Sequence, residues 1–334
     1  MLKTEVKEVL PADLREHRAV QTWRQIQSEW FEPESIEVLK SKRKSKVYRL
    51  TGGGPSRMTI IAKRCHGATA LVEQVVYEEV LTRLPLPALR CYGFAYEPEH
   101  EYCWLFLQDA AGPEYSPANG EHRALAGRWL ATLHRVPVSA ELQAALPDRG
   151  PDHYLNLARA ARNALLARVG HPALSAEEVA LLRKVTEQLD AAEQHWGELE
   201  TFCAAWPRAV VHGDFVIKNL RLRNGDRGPA LLVYDWEMAG WGVPATDLAQ
   251  SLGRCVSPDL DVYGSTLRQD FPQFDARDLR RLADYGNLLR VVDKIYWATV
   301  AMENDDYLFL IKPLSMIQGF EPQLAASLRA INWT

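Results

Sequence analysis

Residues 209–222 read AVVHGDFVIKNLRL: an apolar run, Ala209 to Val211, leads directly into His212, Gly213 and Asp214, and Asn219 follows five residues after the aspartate. Beyond it apolar and basic residues alternate. A histidine, an aspartate and an amide are costly to bury without partners, so their place at the mouth of a hydrophobic segment needs a reason other than packing. The following stretch, NLRLRNGDRGPALLVYDWE over residues 219–237, has the alternation and the Asn-Gly-Asp turn of a hairpin, and it delivers a second carboxylate, Asp235, at its far end. Asp214, Asn219 and Asp235 are therefore expected to converge at one end of a small sheet. Two carboxylates and an amide are hard oxygen donors suited to Mg²⁺ carrying substrate phosphates. One aspartate can orient or deprotonate an attacking hydroxyl while the other grips metal.

Upstream, five short runs read as strands: SIEVL (35–39), KVYRL (46–50), MTIIAKR (58–64), ALRCYGFAY (88–96) and YCWLFLQ (102–108). TGGGPSR (51–57) reads as a hairpin turn. One helix interrupts the strands, ALVEQVVYEEVLTRL (70–84), with Leu71, Val72, Val75, Val76, Val80 and Leu84 as its expected buried face and Pro85 as its stop. Lys63 ends the third strand. A strand-borne lysine can clamp phosphates if a carboxylate holds its ammonium in place. Glu73, with Tyr77 on the same helical face, is the expected partner, and Glu78 is its competitor.

From residue 109 the chain reads as mostly helical. Residues 122–137 and 155–170 have amphipathic spacing, and Ser175 with Glu178 forms a capping box for a helix over 176–196. The expected organisation is an N-terminal helical extension (1–30), a sheet-rich lobe (31–108) and a larger helical lobe (109–334): an α+β, two-lobed architecture with an antiparallel five-stranded sheet and one helix in the first lobe.

Composition narrows the classes. The 334 residues carry 39 basic and 43 acidic side chains, a formal net charge of −4, so no overall field favours nucleic acid or an anionic membrane. The five cysteines are scattered and form no CxxC pair, which argues against a zinc site or disulfide framework. Glu5 and Glu8 interrupt the N-terminus where a signal peptide needs an apolar core, and no apolar run reaches membrane-spanning length. A reducing cytoplasm is the expected location, and oligomeric state stays open.

Together these segments resemble the aminoglycoside phosphotransferase and choline kinase-like family, relatives of the protein kinases. HGDFVIKN (212–219) is similar to the family's HGDxxxxN catalytic loop. YDWEMAGWGVPATDLA (234–249) is similar to its metal-binding segment and DLA helix start. LATLH (130–134), EQVVYEEVLTRLPLP (73–87) and LFLQDAAG (105–112) resemble its LAxLH helix, its E-xxx-Y…LPxP helix and its hinge strand, all in family order. The resemblance implies a protein-kinase-like fold and ATP- and Mg²⁺-dependent transfer of a phosphoryl group to a hydroxyl of a small molecule, a metabolite or an antibiotic. It implies Asp214 as catalytic base, Asn219 and Asp235 as Mg²⁺ ligands, Lys63 with Glu73 on the ATP phosphates, and backbone near Gln108 and Ala110 on the adenine. His212 and Asp247 would brace the loop.

Two departures stand out. The turn KSKRKSK (40–46) has no glycine where many kinases cover the phosphates; Ser41 and Ser45 are the polar candidates there. Val216 also stands where protein kinases usually place a lysine, with Lys218 the candidate substitute. Alternatives are a catalytically silent nucleotide-binding module, which loss of Lys63, Asp214, Asn219 or Asp235 would have favoured, a protein kinase, and a metal-dependent hydrolase. The acceptor is not legible. Residues 256–306 hold ten acidic and six basic side chains, so a cationic acceptor facing Asp293, Glu303 and Asp305 is one expectation; solvated helix faces are the other. Tyr296 and Trp297 fit a helical core stripe.

Overall fold

Alternating, β-branched runs set the first part of the chain as strands, and the computed structural model, which describes residues 10–27, 31–42, 45–52, 58–97, 101–225, 228–251, 253, 255–302 and 306–333, forms five strands there. These divide into two compact units. The first comprises residues up to Glu114 together with Val138–Ala145 and Leu220–Met238; the second comprises Tyr115–Pro137, Leu146–Asn219 and the chain from Ala239 onward.

The first unit is built on an antiparallel sheet of β1 (Pro33–Lys42), β2 (Ser45–Gly52), β3 (Thr59–His66), β4 (Cys91–Tyr96) and β5 (Tyr102–Gln108), in the spatial order β1-β2-β3-β5-β4. Lys42 pairs with Ser45, so the first hairpin closes over residues 43–44, and Gly52 N donates to Met58 O at 2.9 Å to close the second. Both turn interiors lie outside the described residues. One sheet face buries Tyr48, Leu50, Ile60, Trp104 and Phe106. The N-terminal helix α1 (Arg18–Ile26) covers it, with Trp23 packed against Phe31, Tyr92 and Phe106. The early amphipathic segment is thus a lid on the sheet core.

Helix α2 (Gly67–Val75) continues through a π turn at Val76–Val80 and a 3₁₀ turn at Leu81–Arg83. Its buried face differs from the one expected. Leu71 is 55% exposed and Val72 and Val75 are half-buried, whereas Ala70, Glu73, Val76, Tyr77 and Val80 point inward. The helix has rotated to bury a glutamate, and the apolar count alone could not reveal that. The wider π turn then keeps Val76, Tyr77 and Val80 on the buried side. After α4 (Ala140–Ala145), a separate hairpin of β8 (Leu220–Gly225) and β9 (Gly228–Val233) completes this unit. At Gly112, with φ +149°, an added Cβ would stand 2.0 Å from Leu222 O, so only glycine lets the chain cross the hairpin here.

The second unit contains α3 (Gly120–Leu133), α5 (Pro151–Arg168), α6 (Ala176–Gln194), α7 (Trp196–Ala204), α8 (Leu260–Leu267), α9 (Ala276–Val300) and α10 (Tyr307–Ala330). A small sheet joins them, β6 (Asp148–Arg149), β7 (Ala209–Val211) and β10 (Gly240–Gly242), ordered β6-β10-β7. Polar caps fix the helix starts: Asn119 begins α3, and reciprocal capping boxes form at Ser175/Glu178 and Asp275/Asp278. The long α9 is buried over most of its length and touches the 3₁₀ turn Pro244–Leu248 so closely that a Cβ on Gly286 would meet Ala245 O at 1.9 Å. Trp297, expected in a core stripe, is 49% exposed, because α9 turns its buried side through Val291, Val292, Ile295 and Ala298. Among the described residues no helix is long and apolar enough to cross a membrane.

Candidate active site

Two polar clusters carry the residues singled out above, one in each unit. In the first, β3 places Lys63 on the inward side of the sheet and the rotation of α2 brings Glu73 beneath it. Lys63 Nζ lies 2.6 Å from Glu73 Oε1, 2.5 Å from Asp235 Oδ1 and 3.5 Å from Glu237 Oε2. Glu78, the competitor, stays exposed and bonds Gln74 instead. Glu73 is fully buried, and burial pushes its carboxyl up to about 7 although Lys63 opposes the change. For Lys63 burial acts to lower the ammonium's pKa, but Glu73, Asp235 and Glu237 outweigh it and hold it well above the usual lysine value. The lysine therefore stays charged.

This cluster forms the polar end of a cavity of about 240 Å³. Leu39, Val47, Ile61, Leu89 and Leu107 make its apolar walls, and Gln108, Asp109 and Ala110 its edge. Gln108 N bonds Arg90 O at 2.8 Å, and Arg49 Nε bonds Asp109 at 2.8 Å, which steadies that edge. An apolar cavity ending in a charged clamp can take a planar ring at one end and phosphates at the other. Ser45 Oγ is buried with no hydrogen-bond partner among the described residues, at the glycine-free end of the sheet.

Asp235 sits just after β9 with φ +68°, a left-handed conformation that a non-glycine residue holds only where its surroundings enforce it. Glu73, Asp235 and Glu237 each offer an oxygen, all within 4.8 Å of one another. Glu73 is committed to Lys63, with its second oxygen, Oε2, buried without a partner among the described residues, so the hard oxygen donors toward the solvent side are those of Asp235 and Glu237. That donor set fits Mg²⁺ rather than a soft-ligand metal.

In the second unit, the turn after β7 presents Asp214. Gly213 has φ +74°, so a glycine is needed to swing the chain there. Asp247 is buried and braces the turn from behind: Oδ2 accepts from His212 N at 2.7 Å and Oδ1 from Gly213 N at 3.0 Å. His134, from the LATLH segment, reaches the same carboxylate at 3.3 Å through Nε2 and Tyr263 at 3.0 Å through Nδ1. Burial acts to raise the pKa of Asp247, but these hydrogen bonds and the neighbouring histidines prevail and hold it below the ordinary carboxylate value. Asn219 Nδ2 donates to Asp214 O at 2.9 Å and to its Oδ2 at 3.3 Å, leaving the amide oxygen outside these bonds.

Two cations flank the Asp214 carboxylate. Lys218 Nζ stands 3.2 Å from Oδ2, and Arg290 Nη2 stands 3.2 Å from Oδ1. Arg290, in the middle of α9, carries no motif and was invisible in the sequence. Glu237 was legible only as a carboxylate two residues after Asp235. Asp293 lies one turn from Arg290 on α9, and burial pushes its carboxyl up to about 6. Glu303 and Asp305 lie outside the described residues.

The fold and this pair of clusters define a kinase-like phosphotransferase architecture. The model of the phosphotransferase enzyme family known as APH matches residues 35–285, and the chain belongs to that family. No curated protein sequence matches it significantly. Among solved structures, aminoglycoside 2'-phosphotransferase-IIIa in its GDP complex superposes with a TM-score of 0.63 at 13% identity, covering 92% of this chain and 99% of that one. Spectinomycin phosphotransferase APH(9)-Ia, in complex with ADP and spectinomycin, gives 0.59 at 9%, covering 92% and 97%. Ethanolamine kinase of Plasmodium vivax gives 0.57 at 14%, covering 90% and 85%. At such identities the likeness is one of fold. Family membership carries the class: a phosphotransferase acting on hydroxyl groups.

Proposed function

We propose that the protein transfers the γ-phosphoryl group of ATP to a hydroxyl of a small molecule with the help of Mg²⁺. The observation that carries this reading is the Lys63–Glu73–Asp235 cluster at the charged end of the first unit's cavity. The adenine would lie between the apolar walls, with backbone groups near Gln108 and Ala110 as its hydrogen-bonding edge. Lys63, held charged and in place by Glu73, would contact the α and β phosphates, and Ser45 Oγ would supply a further donor. Asp235 and Glu237 would hold Mg²⁺, which when bound neutralises phosphate charge. Solved complexes of related fold with GDP and with ADP lend support to nucleotide binding.

Asp214 would orient the acceptor hydroxyl and accept its proton. As the acceptor oxygen bonds to the γ-phosphorus, the bond from that phosphorus to the β–γ bridging oxygen breaks and ADP leaves. Asn219 and Lys218 keep the carboxylate aimed, and His212 and Asp247 keep its loop rigid. Most of the rate would come from positioning and charge neutralisation, because phosphoryl transfer asks for little covalent chemistry.

The test is a binding and turnover pair. Titration with ATP should give saturable binding that strengthens with Mg²⁺ and is lost in Lys63→Ala and Asp235→Asn. ADP release should then require a hydroxyl acceptor, in a panel of hydroxyl-bearing metabolites and antibiotics. Absence of ATP binding by the folded protein would overturn the reading. Tight binding with no transfer to any acceptor would favour a nucleotide-binding regulatory module.

A further inference from the structure

Arg290 has a peculiarity that its contact with Asp214 does not explain. Its side chain is only 6% exposed, yet of the guanidinium's nitrogens only Nη2 has a partner; Nε and Nη1 are buried with none among the described residues. A guanidinium is a planar fork of five N–H donors, suited to binding an oxyanion through two parallel bonds. Here a single contact of 3.2 Å engages it, and the accepting oxygen belongs to a carboxylate already shared with Lys218 and Asn219. A buried cation left so incompletely paired is destabilising, and perturbed buried charges cluster at functional sites.

The surroundings sharpen the sign of the missing partner. Lys294 stands one turn further along the same face of α9, half-buried, with Phe320 beneath its ammonium and no ion pair among the described residues. Burial and the charge of Arg290 both lower its pKa, which marks two cations crowded together rather than a balanced pair. Arg149 lies close enough to act electrostatically on Asp293. Among the described residues, Arg290 and Lys294 share this stretch of α9 with Asp293 and face Asp214, and burial disfavours the charged form of Asp293. Among the described residues, two closely spaced cations of α9, Arg290 and Lys294, thus stand beside Asp214.

We propose that the acceptor carries an oxyanion group, a carboxylate or phosphate on the hydroxyl-bearing molecule, and that Arg290, assisted by Lys294, binds it. The inference rests on the phosphotransferase reading of Asp214. It gives the unfilled donors of Arg290 a ligand and holds the acceptor next to the residue that orients its hydroxyl. A cationic acceptor would meet like charge there.

The first test compares acceptors matched except for charge: glycerate against glycerol, gluconate against glucose, and 4-hydroxybutyrate against 4-aminobutanol. The carboxylate member of each pair should show kcat/KM at least tenfold above its partner. Arg290→Ala should bring that ratio close to one, Arg290→Lys should keep part of it, and Lys294→Ala should reduce it a few-fold. Because the readout is a ratio within one protein, a general loss of activity does not imitate it. A preferred neutral or cationic acceptor, or an Arg290→Ala protein that loses activity equally on both members, overturns the proposal; the second result would place the guanidinium on the transferred phosphoryl or on Asp214 alone.

The second test needs no turnover. Inorganic phosphate is titrated into the protein saturated with Mg²⁺ and ADP, followed by calorimetry. Binding should weaken at least tenfold in Arg290→Ala, or in Lys294→Gln if the first variant does not fold, while ADP affinity stays within twofold. Phosphate binding that is absent, or indifferent to the variant that folds, overturns the proposal. If Mg²⁺ and ADP do not bind, the kinase reading falls separately, and the phosphate titration of the parent and variant without nucleotide still decides this one.

Discussion

The two polar clusters are opposite in charge balance. In the first unit one cation, Lys63, faces three carboxylates, Glu73, Asp235 and Glu237. Around Asp214 in the second unit, Lys218 and Arg290 make direct contact with one carboxylate, and Lys294 adds to the excess. A net negative cluster of hard oxygens has room for a divalent cation; a net positive one has room for an anion. Binding sites often leave such imbalances for the ligand to complete, and here the two imbalances call for different ligands.

The contrast breaks most visibly at Asp214. If the positive cluster is where the acceptor is activated, Asp214→Ala should lower turnover by about 10²–10⁴-fold. ATP affinity, set by the negative cluster, should change no more than about twofold, a margin well below the tenfold that 1.4 kcal/mol represents. Steady-state kinetics with calorimetry on the same preparation checks both. Near-parent turnover would remove the base from this residue.

Lys63 tests the other side. Replacing it with methionine strands the buried Glu73 with no cation, and removing one partner of a buried pair typically destabilises by about 3–5 kcal/mol. Urea unfolding should show a loss of that order for Lys63→Met and a smaller one for the double variant Lys63→Met/Glu73→Leu, which leaves no stranded charge. Equal losses would mean that packing, not charge, dominates the cluster.

A pH experiment sharpens the comparison further. Burial raises the carboxyl of Asp293 from 3.8 to about 6, so the folded protein holds that proton more readily than the unfolded chain does. The resulting stability is fully present below the unfolded value and is lost as pH rises through 6. Asp293→Asn should therefore be more stable than the parent at pH 7.5 by up to about 3 kcal/mol, the equivalent of two pKa units. The gap should close near pH 4. Melting temperatures across that range read it directly, and a pH-independent gap would mean that the carboxyl is not the cause.

The smallest effect is expected at Glu237, the outermost carboxylate of the negative cluster. Glu237→Gln should raise the Mg²⁺ concentration for half-maximal activity a few-fold, about 1 kcal/mol or less given its partial exposure. A shift as large as that of Asp235→Asn would make it an equal metal ligand.

Much of this was legible in the sequence, and the parts that were not share a cause. The strands declared themselves because alternation is a local property of a half-buried sheet. The HGD turn declared itself because its glycine and polar residues interrupt an apolar run. The Lys63–Glu73 pair could be anticipated because strand and helix lie ten residues apart. The rotation of α2 that exposes Leu71 was hidden, since it depends on the lysine that Glu73 must meet. Arg290 was hidden more deeply: it lies 76 residues from Asp214, inside an amphipathic helix whose basic residues read as solvated. Its burial follows from how closely α9 packs at Gly286, a tertiary fact with no periodic signature.

The amides of His212 and Gly213 donate to a carboxylate that is itself buried, so neither proton can reach water unless Asp247 lets go. In hydrogen exchange these two positions should rank with the interior of α9, opening only when much of the second unit opens. A segment that looks like a surface turn by composition would then be immobile on the microsecond-to-millisecond scale on which lids and loops usually gate turnover. Whatever movement admits the acceptor and releases the product must occur without the turn that carries Asp214.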